Sequence, residues 1–170
     1  MKKTSILLSA FAATLLLFGI AACKKEATGT DLDLLNKAKA TAGFVWYKNT
    51  DALLPRSSGS GHSEALLRTR YNATAAASLD TAFKVSNAAS FAEGSLIVKE
   101  LHTNASTLSR YAVLYKQSTH PDADANGWVW GYIDADGKVA EPAANKGSAC
   151  RNCHLQADNI DYMLMNKYFP

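Results

Sequence analysis

Near the end of the chain two cysteines lie three residues apart and are followed at once by a histidine, Cys150-Arg151-Asn152-Cys153-His154. On one turn of a helix, thiols at this spacing reach the two vinyl groups along one edge of a porphyrin. The adjacent imidazole then projects over the ring to the iron, which is the c-type haem attachment pattern. The motif lies late: only 16 residues follow His154 in the sequence, which narrows the type of haem protein. Other uses of paired thiols fit less well. A thiol redox pair belongs near the start of a βαβ unit, and a zinc site needs ligands that no second cysteine pair supplies. A disulfide between Cys150 and Cys153 is the non-haem alternative.

The other end of the chain reads as an address. Lys2 and Lys3 precede an apolar run from Ile6 to Ile20, then Ala21-Ala22-Cys23 and the polar Lys24-Lys25-Glu26. This is the layout of a secretory signal, too short for a membrane span of roughly 20 apolar residues. A cysteine directly after two small residues resembles a bacterial lipobox. Residues 1–22 are therefore expected to be a lipoprotein signal peptide, with Cys23 the lipidation site, residues 23–30 a tether and 31–170 the haem domain. Acyl chains contribute about 0.8 kcal/mol per buried CH₂, so such a terminus holds a domain on a membrane of the cell envelope, in the periplasm or outside the cell. That compartment suits haem attachment. The composition, 48% hydrophobic and 19% charged, is that of a globular domain. The formal charge of +3 falls to +1 without Lys2 and Lys3, so no basic field for nucleic acid is present.

Between the two ends the periodicity changes. Leu34, Leu35, Ala38, Ala42 and Val45 recur at helical spacing, with Asp31 or Asp33 as cap. Residues 55–61 are a Gly/Ser loop, 65–71 a strand, and Asn72 caps an Ala-rich turn. Residues 95–102 and 111–116 read as strands separated by a polar segment at 103–109. Trp128, Trp130 and Tyr132 share one face of a third strand by period 2, followed by a turn at 134–137 and a short return strand at 138–140. Residues 149–167 read as one helix carrying the motif. The fold class is α+β, an antiparallel sheet with packed helices.

The position of the motif bears on the sixth iron ligand. On a single C-terminal helix, Met163 and Met165 cannot wrap round to the face opposite His154. An open distal site follows, suited to small ligands or redox catalysis. The alternative is a six-coordinate electron-transfer cytochrome that uses Met163, Met165 or one of His62, His102 and His120. Helical cytochromes c′ also carry a late motif, but residues 95–140 have the wrong period for a bundle.

Several segments in order, ending on the haem motif, resemble the cytochrome P460 family, which includes the cytochromes c′-beta. They are Arg70-Tyr71-Asn72, Phe91-Ala-Glu-Gly-Ser-Leu-Ile-Val-Lys-Glu100, Tyr111-Ala-Val-Leu-Tyr-Lys116, Gly127-Trp128, and Asp161-Tyr162 after the motif. The resemblance covers roughly residues 65–162. It implies a sheet-rich fold and a five-coordinate haem c, with thioethers on Cys150 and Cys153 and iron on His154. It also implies either a lysine cross-linked to the porphyrin in an enzyme that oxidises hydroxylamine, or, in c′-beta members, an apolar pocket for nitric oxide or carbon monoxide. Lys99 and Lys84 are the candidates for the cross-link; the plainer reading of each is a solvated strand or loop lysine. The expected partners are a small gas or nitrogen-oxide ligand and a redox partner, and a homodimer is compatible with this reading.

Two further signals are weaker. Asp122-Ala-Asp-Ala-Asn-Gly127 begins like a calcium loop but has Ile133 where the bidentate Glu belongs. Glu93 and Glu100 are carboxylates that could relay protons, with surface roles the plainer reading.

Overall fold

Alternation along four strands sets the architecture. A computed structural model describes residues 24–87 and 89–170; the expected signal peptide (1–22) and Cys23 lie outside the described residues. In chain order the strands are β1 (Val45–Trp46), β2 (Leu54–Pro55), β3 (Leu66–Tyr71), β4 (Leu96–Asn104), β5 (Thr107–Lys116), β6 (Trp128–Asp134) and β7 (Val139–Glu141). They form one antiparallel sheet in the order β1-β3-β4-β5-β6-β7, with β2 also pairing on β3. Among the described residues the helices are α1 (Gly29–Lys39), α2 (Ala73–Ala76), α3 (Ser148–His154) and α4 (Met165–Tyr168). None of them is long and apolar enough to cross a membrane.

The two faces of the sheet are covered differently. Val98, Val113, Val129 and Ile133 point to the face covered by Leu34, Leu35 and Ala38 of α1. Gly131 allows the helix to approach closely, since a Cβ there would lie 2.9 Å from Leu34 Cδ1. On the opposite face, Leu67, Tyr71, Ile97, Leu101, Leu114, Trp128 and Trp130 pack against Tyr162, Met163 and Met165 of the tail. The registers Thr69↔Lys99, Lys99↔Ala112 and Ala112↔Tyr132 make a continuous cross-strand row on this second face.

One buried ion pair joins α1 to the sheet. Arg70 and Glu100 bond across β3 and β4, and Arg70 Nη2 also donates to the Ala38 carbonyl at the end of α1. That carbonyl is one of those a helix terminus leaves unpaired. Arg68 Nε holds the second carboxylate oxygen of Glu100 at 2.6 Å. Glu100 is therefore a structural anchor on the α1 face, and Glu93 is a surface carboxylate that accepts from the Ser118 backbone and hydroxyl.

Four local expectations change. The helical spacing read through Ala42 and Val45 stops at Lys39, and Val45 opens β1. Neither Asp31 nor Asp33 caps α1, whose N-cap is Thr28; Asp31 instead accepts from the Ala143 backbone N–H at 2.9 Å, tying the helix to the loop after β7. The polar segment 103–109 is mostly hairpin, because exposed polar residues continue the ladder and only residues 105–106 turn. The helix expected over 149–167 is two short helices, so the motif lies on seven-residue α3 near the C-terminus, not on one long terminal helix. The chain reverses after Leu155, with Asp158, Asp161 and Tyr162 at positive φ. Asn159 pins the turn by donating to the Gln156 carbonyl (2.9 Å) and accepting from the Tyr162 N–H (3.1 Å). Asn72 caps α2 as expected, accepting from Ala75 N–H at 2.9 Å.

Replacing Glu100 with alanine leaves Arg70 charged and unpaired in the interior. The expected cost is roughly 3–5 kcal/mol of stability, read as a fall in the urea midpoint with little change in slope.

Candidate functional site

The second sheet face does not close on itself. Between it and the tail lies a cavity of about 480 Å³, within the range of roughly 300–1,000 Å³ usual for ligand and cofactor sites. Thr69, Lys99, Ala112 and Tyr132 form its floor, and Ile97, Leu114 and Trp130 extend it. Cys150, Cys153 and His154 stand on one side with Met163, Met165 and Tyr168, and residues 60–62 enter from the loop before β3.

The motif helix is placed by a glycine. Gly147, at φ +65°, precedes α3 and lies against the Trp130 ring, where a Cβ would come within 2.5 Å. Only a residue without a side chain lets the helix start this close to the sheet. Cys150 and Cys153 are half-buried free thiols and form no disulfide; burial pushes the Cys150 thiol up.

His154 is held on two sides. Its Nδ1 lies 2.7 Å from the Tyr162 carbonyl oxygen. A carbonyl only accepts, so Nδ1 carries the proton and Nε2 keeps its lone pair. The Trp130 ring meets the imidazole edge-to-face at 5.3 Å. Trp130 in turn donates through Nε1 to Asp124 at 3.0 Å, and Trp128 donates to Asp161 at 2.9 Å. The loop that began like a calcium site is thus an indole anchor: Asp124 also accepts from the backbone of Asn126 and Trp128. Burial pushes the imidazole of His154 down to about 4, partly opposed by the Tyr162 carbonyl. It is therefore neutral, the state that ligates metal.

Of the two candidate lysines, only Lys99 is at the cavity. It projects from the floor between Ile97 and Leu101, and burial pushes its amine down to about 8. Lys84 sits in a turn closed by Asp80, whose carboxylate accepts from its backbone N–H, and it takes no part in the cavity wall. The signal for Lys99 was present in sequence: it occupies an inward position between two apolar residues of a period-2 strand.

The histidines separate as well. His102 is on the α1 face beside Glu100, and His120 is in a loop where its Nδ1 accepts from the Asp122 N–H. His62 alone of the three lines the cavity, with Nδ1 3.4 Å from the Tyr132 hydroxyl. Burial pushes it down to about 2, with Lys99 adding to the effect. The reversal after Leu155 brings Met163 and Met165 back to the wall, contrary to the single-helix expectation; Met165 Sδ accepts from the Thr69 hydroxyl at 3.3 Å. Sequence reasoning placed Tyr132 on one face with the tryptophans without showing that this face is the cavity. The Tyr162 carbonyl, as backbone, left no signal.

An apolar cavity, two free thiols on one helical turn and a neutral imidazole with an unused Nε2 together fit an iron porphyrin attached through sulfur. No curated protein matches the chain. The family described as Cytochrome P460 matches residues 60–165, more than half of the chain, running from the loop that carries His62 to Met165. The chain belongs to the cytochrome P460 family, whose cofactor is haem c.

Proposed function

We propose that Cys150 and Cys153 carry the thioether bonds and His154 the iron, and that the protein performs redox chemistry on a small nitrogen compound of the hydroxylamine type. The observation that carries this reading is the place of Lys99. A lysine on the cavity floor, flanked by Thr69 and Ala112 and lining the same cavity as Cys153, favours a bond between its amine and the porphyrin. Within the family resemblance, that attachment goes with hydroxylamine oxidation and its absence with gas binding.

When bound, the haem supplies an iron that exchanges electrons singly and can hold a nitrogen ligand. The protein's own residues do the rest. Gly147 and Trp130 set the motif helix against the sheet, and the Tyr162 carbonyl fixes the His154 tautomer. Ile97, Leu114 and the aromatic rings exclude water from the floor. Lys99 would hold the porphyrin through its largely desolvated amine; such a bond, formed in place of one N–H and one C–H, would require two-electron oxidation by a peroxide-class oxidant. Electrons taken from substrate leave to a separate redox partner. The site of action is outside the cytoplasm, with Cys23 as the lipid anchor.

Haem-loaded protein expressed with cytochrome-maturation machinery is expected to carry one covalent haem by intact mass and to lose it when Cys150 and Cys153 are both replaced by alanine in a Lys99→Leu background, where no lysine bond remains to hold it. A covalent haem in that triple variant refutes the thioether assignment.

Lys99→Leu is expected to retain c-type haem, to shift the ferrous absorption to that of an unmodified haem c, and to lower hydroxylamine-dependent reduction roughly 10–100-fold, as for groups that tune a metal from outside its ligands. A wild-type spectrum in this variant removes Lys99 from the cross-link.

A further inference from the structure

Residues 24–31, which follow Cys23 in the sequence, are fastened to the sheet along most of their length. The Val139 N–H donates to the Lys25 carbonyl at 2.8 Å and the Ala27 N–H to the Gly137 carbonyl at 2.9 Å, around an antiparallel bridge between Glu26 and Lys138. Residues 24–27 thus cover the outer edge of β7, which would otherwise present unpaired backbone groups. Farther on, Thr30 Oγ1 donates to Asp122 at 2.7 Å, and Asp31 is held by the Ala143 N–H.

Lys24, the first of these residues, belongs to the rim of the cavity. It lines the cavity while its side chain stays 45% exposed, and its Nζ donates to Asp134 at 2.6 Å. The other oxygen of that carboxylate accepts from Arg110 Nε at 2.6 Å, and the Arg110 guanidinium lies over the Tyr132 ring at 4.4 Å. One carboxylate therefore ties the residue after Cys23 to the polar wall of the cavity.

This fastening removes the slack between an acyl group on Cys23 and the domain. Left free, residues 24–30 would let the domain stand off by up to about 24 Å, at roughly 3.4 Å per extended residue. Bonded from Lys24 onward, the domain begins about 3.8 Å from the Cα of Cys23, the span of one peptide unit. Acyl chains buried in a bilayer then hold the β7 edge against its surface. Charge does not supply the attraction: Lys24 and Lys138 are paired with Asp134 and Asp136, and Lys25 is next to Glu26. The edge has no net positive field for anionic lipid.

We propose that a lipid bilayer is the partner of the β7 edge: with Cys23 acylated, the bonded 24–27 segment seats the domain on the membrane surface with the Lys24–Arg110 rim of the cavity turned toward the headgroups. The proposal rests on the reading of Cys23 as the lipid anchor and adds an orientation to it. That side of the cavity is then reached from the headgroup layer.

The test uses the full haem-loaded chain, acylated in a bacterial host and reconstituted into phosphatidylcholine vesicles with nitroxide-bearing headgroups. With the motif thiols taken by haem and Cys23 by lipid, a fluorophore is placed on a single new cysteine. Lys138→Cys puts it beside the N-terminal segment. Asp51→Cys puts it at the exposed far edge, up to about 29 Å away across six strand spacings of roughly 4.8 Å. Emission with nitroxide lipid is divided by emission without it, so that quenching by haem cancels. The Lys138→Cys label is expected to lose most of its emission and the Asp51→Cys label to keep it, equally with and without anionic lipid. A Gly/Ser linker of about 20 residues between Cys23 and Lys24, with a root-mean-square span of about 25 Å, is expected to restore the Lys138→Cys emission. Equal quenching at both positions, or none, overturns the proposal, as does quenching at Lys138→Cys that needs anionic lipid or survives the linker. In each case acyl groups on Cys23 by intact mass leave the anchor standing. An unmodified Cys23 defeats the anchor and the seat together, and no outcome bears on the haem assignment.

Discussion

The hydrogen bond from His154 to the Tyr162 carbonyl closes a loop on which the rest of the site depends. It requires the chain to turn back directly after the motif helix, and the turn places Asp158, Asp161 and Tyr162 at positive φ. Such a conformation is unfavourable for a tyrosine. Contacts at both ends of the side chain compensate: the ring packs edge-to-face on Trp130 at 5.1 Å, and the hydroxyl accepts from Asn126 Nδ2 at 2.8 Å. The same reversal returns Met163 and Met165 to the sheet. One backbone carbonyl thus orients the imidazole, and the turn that supplies it completes the wall.

The sheet places its buried charges differently on its two faces. On the α1 face Arg70 and Glu100 neutralise each other, with Arg70 also near the Phe44 and Trp46 rings and bonded to the end of the helix, although its Nε is left without a partner. Their role is structural. On the cavity face Lys99 has Thr69 and Ala112 as cross-strand neighbours, and no described carboxylate forms an ion pair with it. A buried amine left without a counter-charge is costly unless something is gained from it. Perturbed groups of this kind concentrate at functional sites, and the match to the cytochrome P460 family falls on the same residues.

Aromatic residues connect the two ends of the cavity. Asp124 holds Trp130, Trp130 supports both His154 and the Gly147 turn, and Asp161 holds Trp128. Each indole has its N–H satisfied, as a buried tryptophan requires. The 122–127 loop is therefore explained without a cation, by Asp124 fixing the ring that buttresses His154.

Period-2 alternation in 95–102, 111–116 and 128–133 was enough to read an antiparallel sheet, and the spacing of Cys150, Cys153 and His154 enough to read haem attachment, because both depend on nearest-neighbour geometry along one segment. The helix over 149–167 was misread because apolar residues after a turn keep helical spacing by coincidence, while the turn is held by Asn159 and by Tyr162 meeting partners far away in sequence. Lys99 differs locally from Lys84 in alternating with Ile97 and Leu101 on a strand, but nothing along the segment shows which sheet face bears a cavity; the registers across four strands place Lys99 on the cavity floor and leave Lys84 in a turn. For the same reason His62 could not be distinguished from His102 and His120. Local sequence determined the cofactor class and the sheet, whereas long-range pairing decided which side chains line the cavity, because that depends on what lies across it and not on what lies next along the chain.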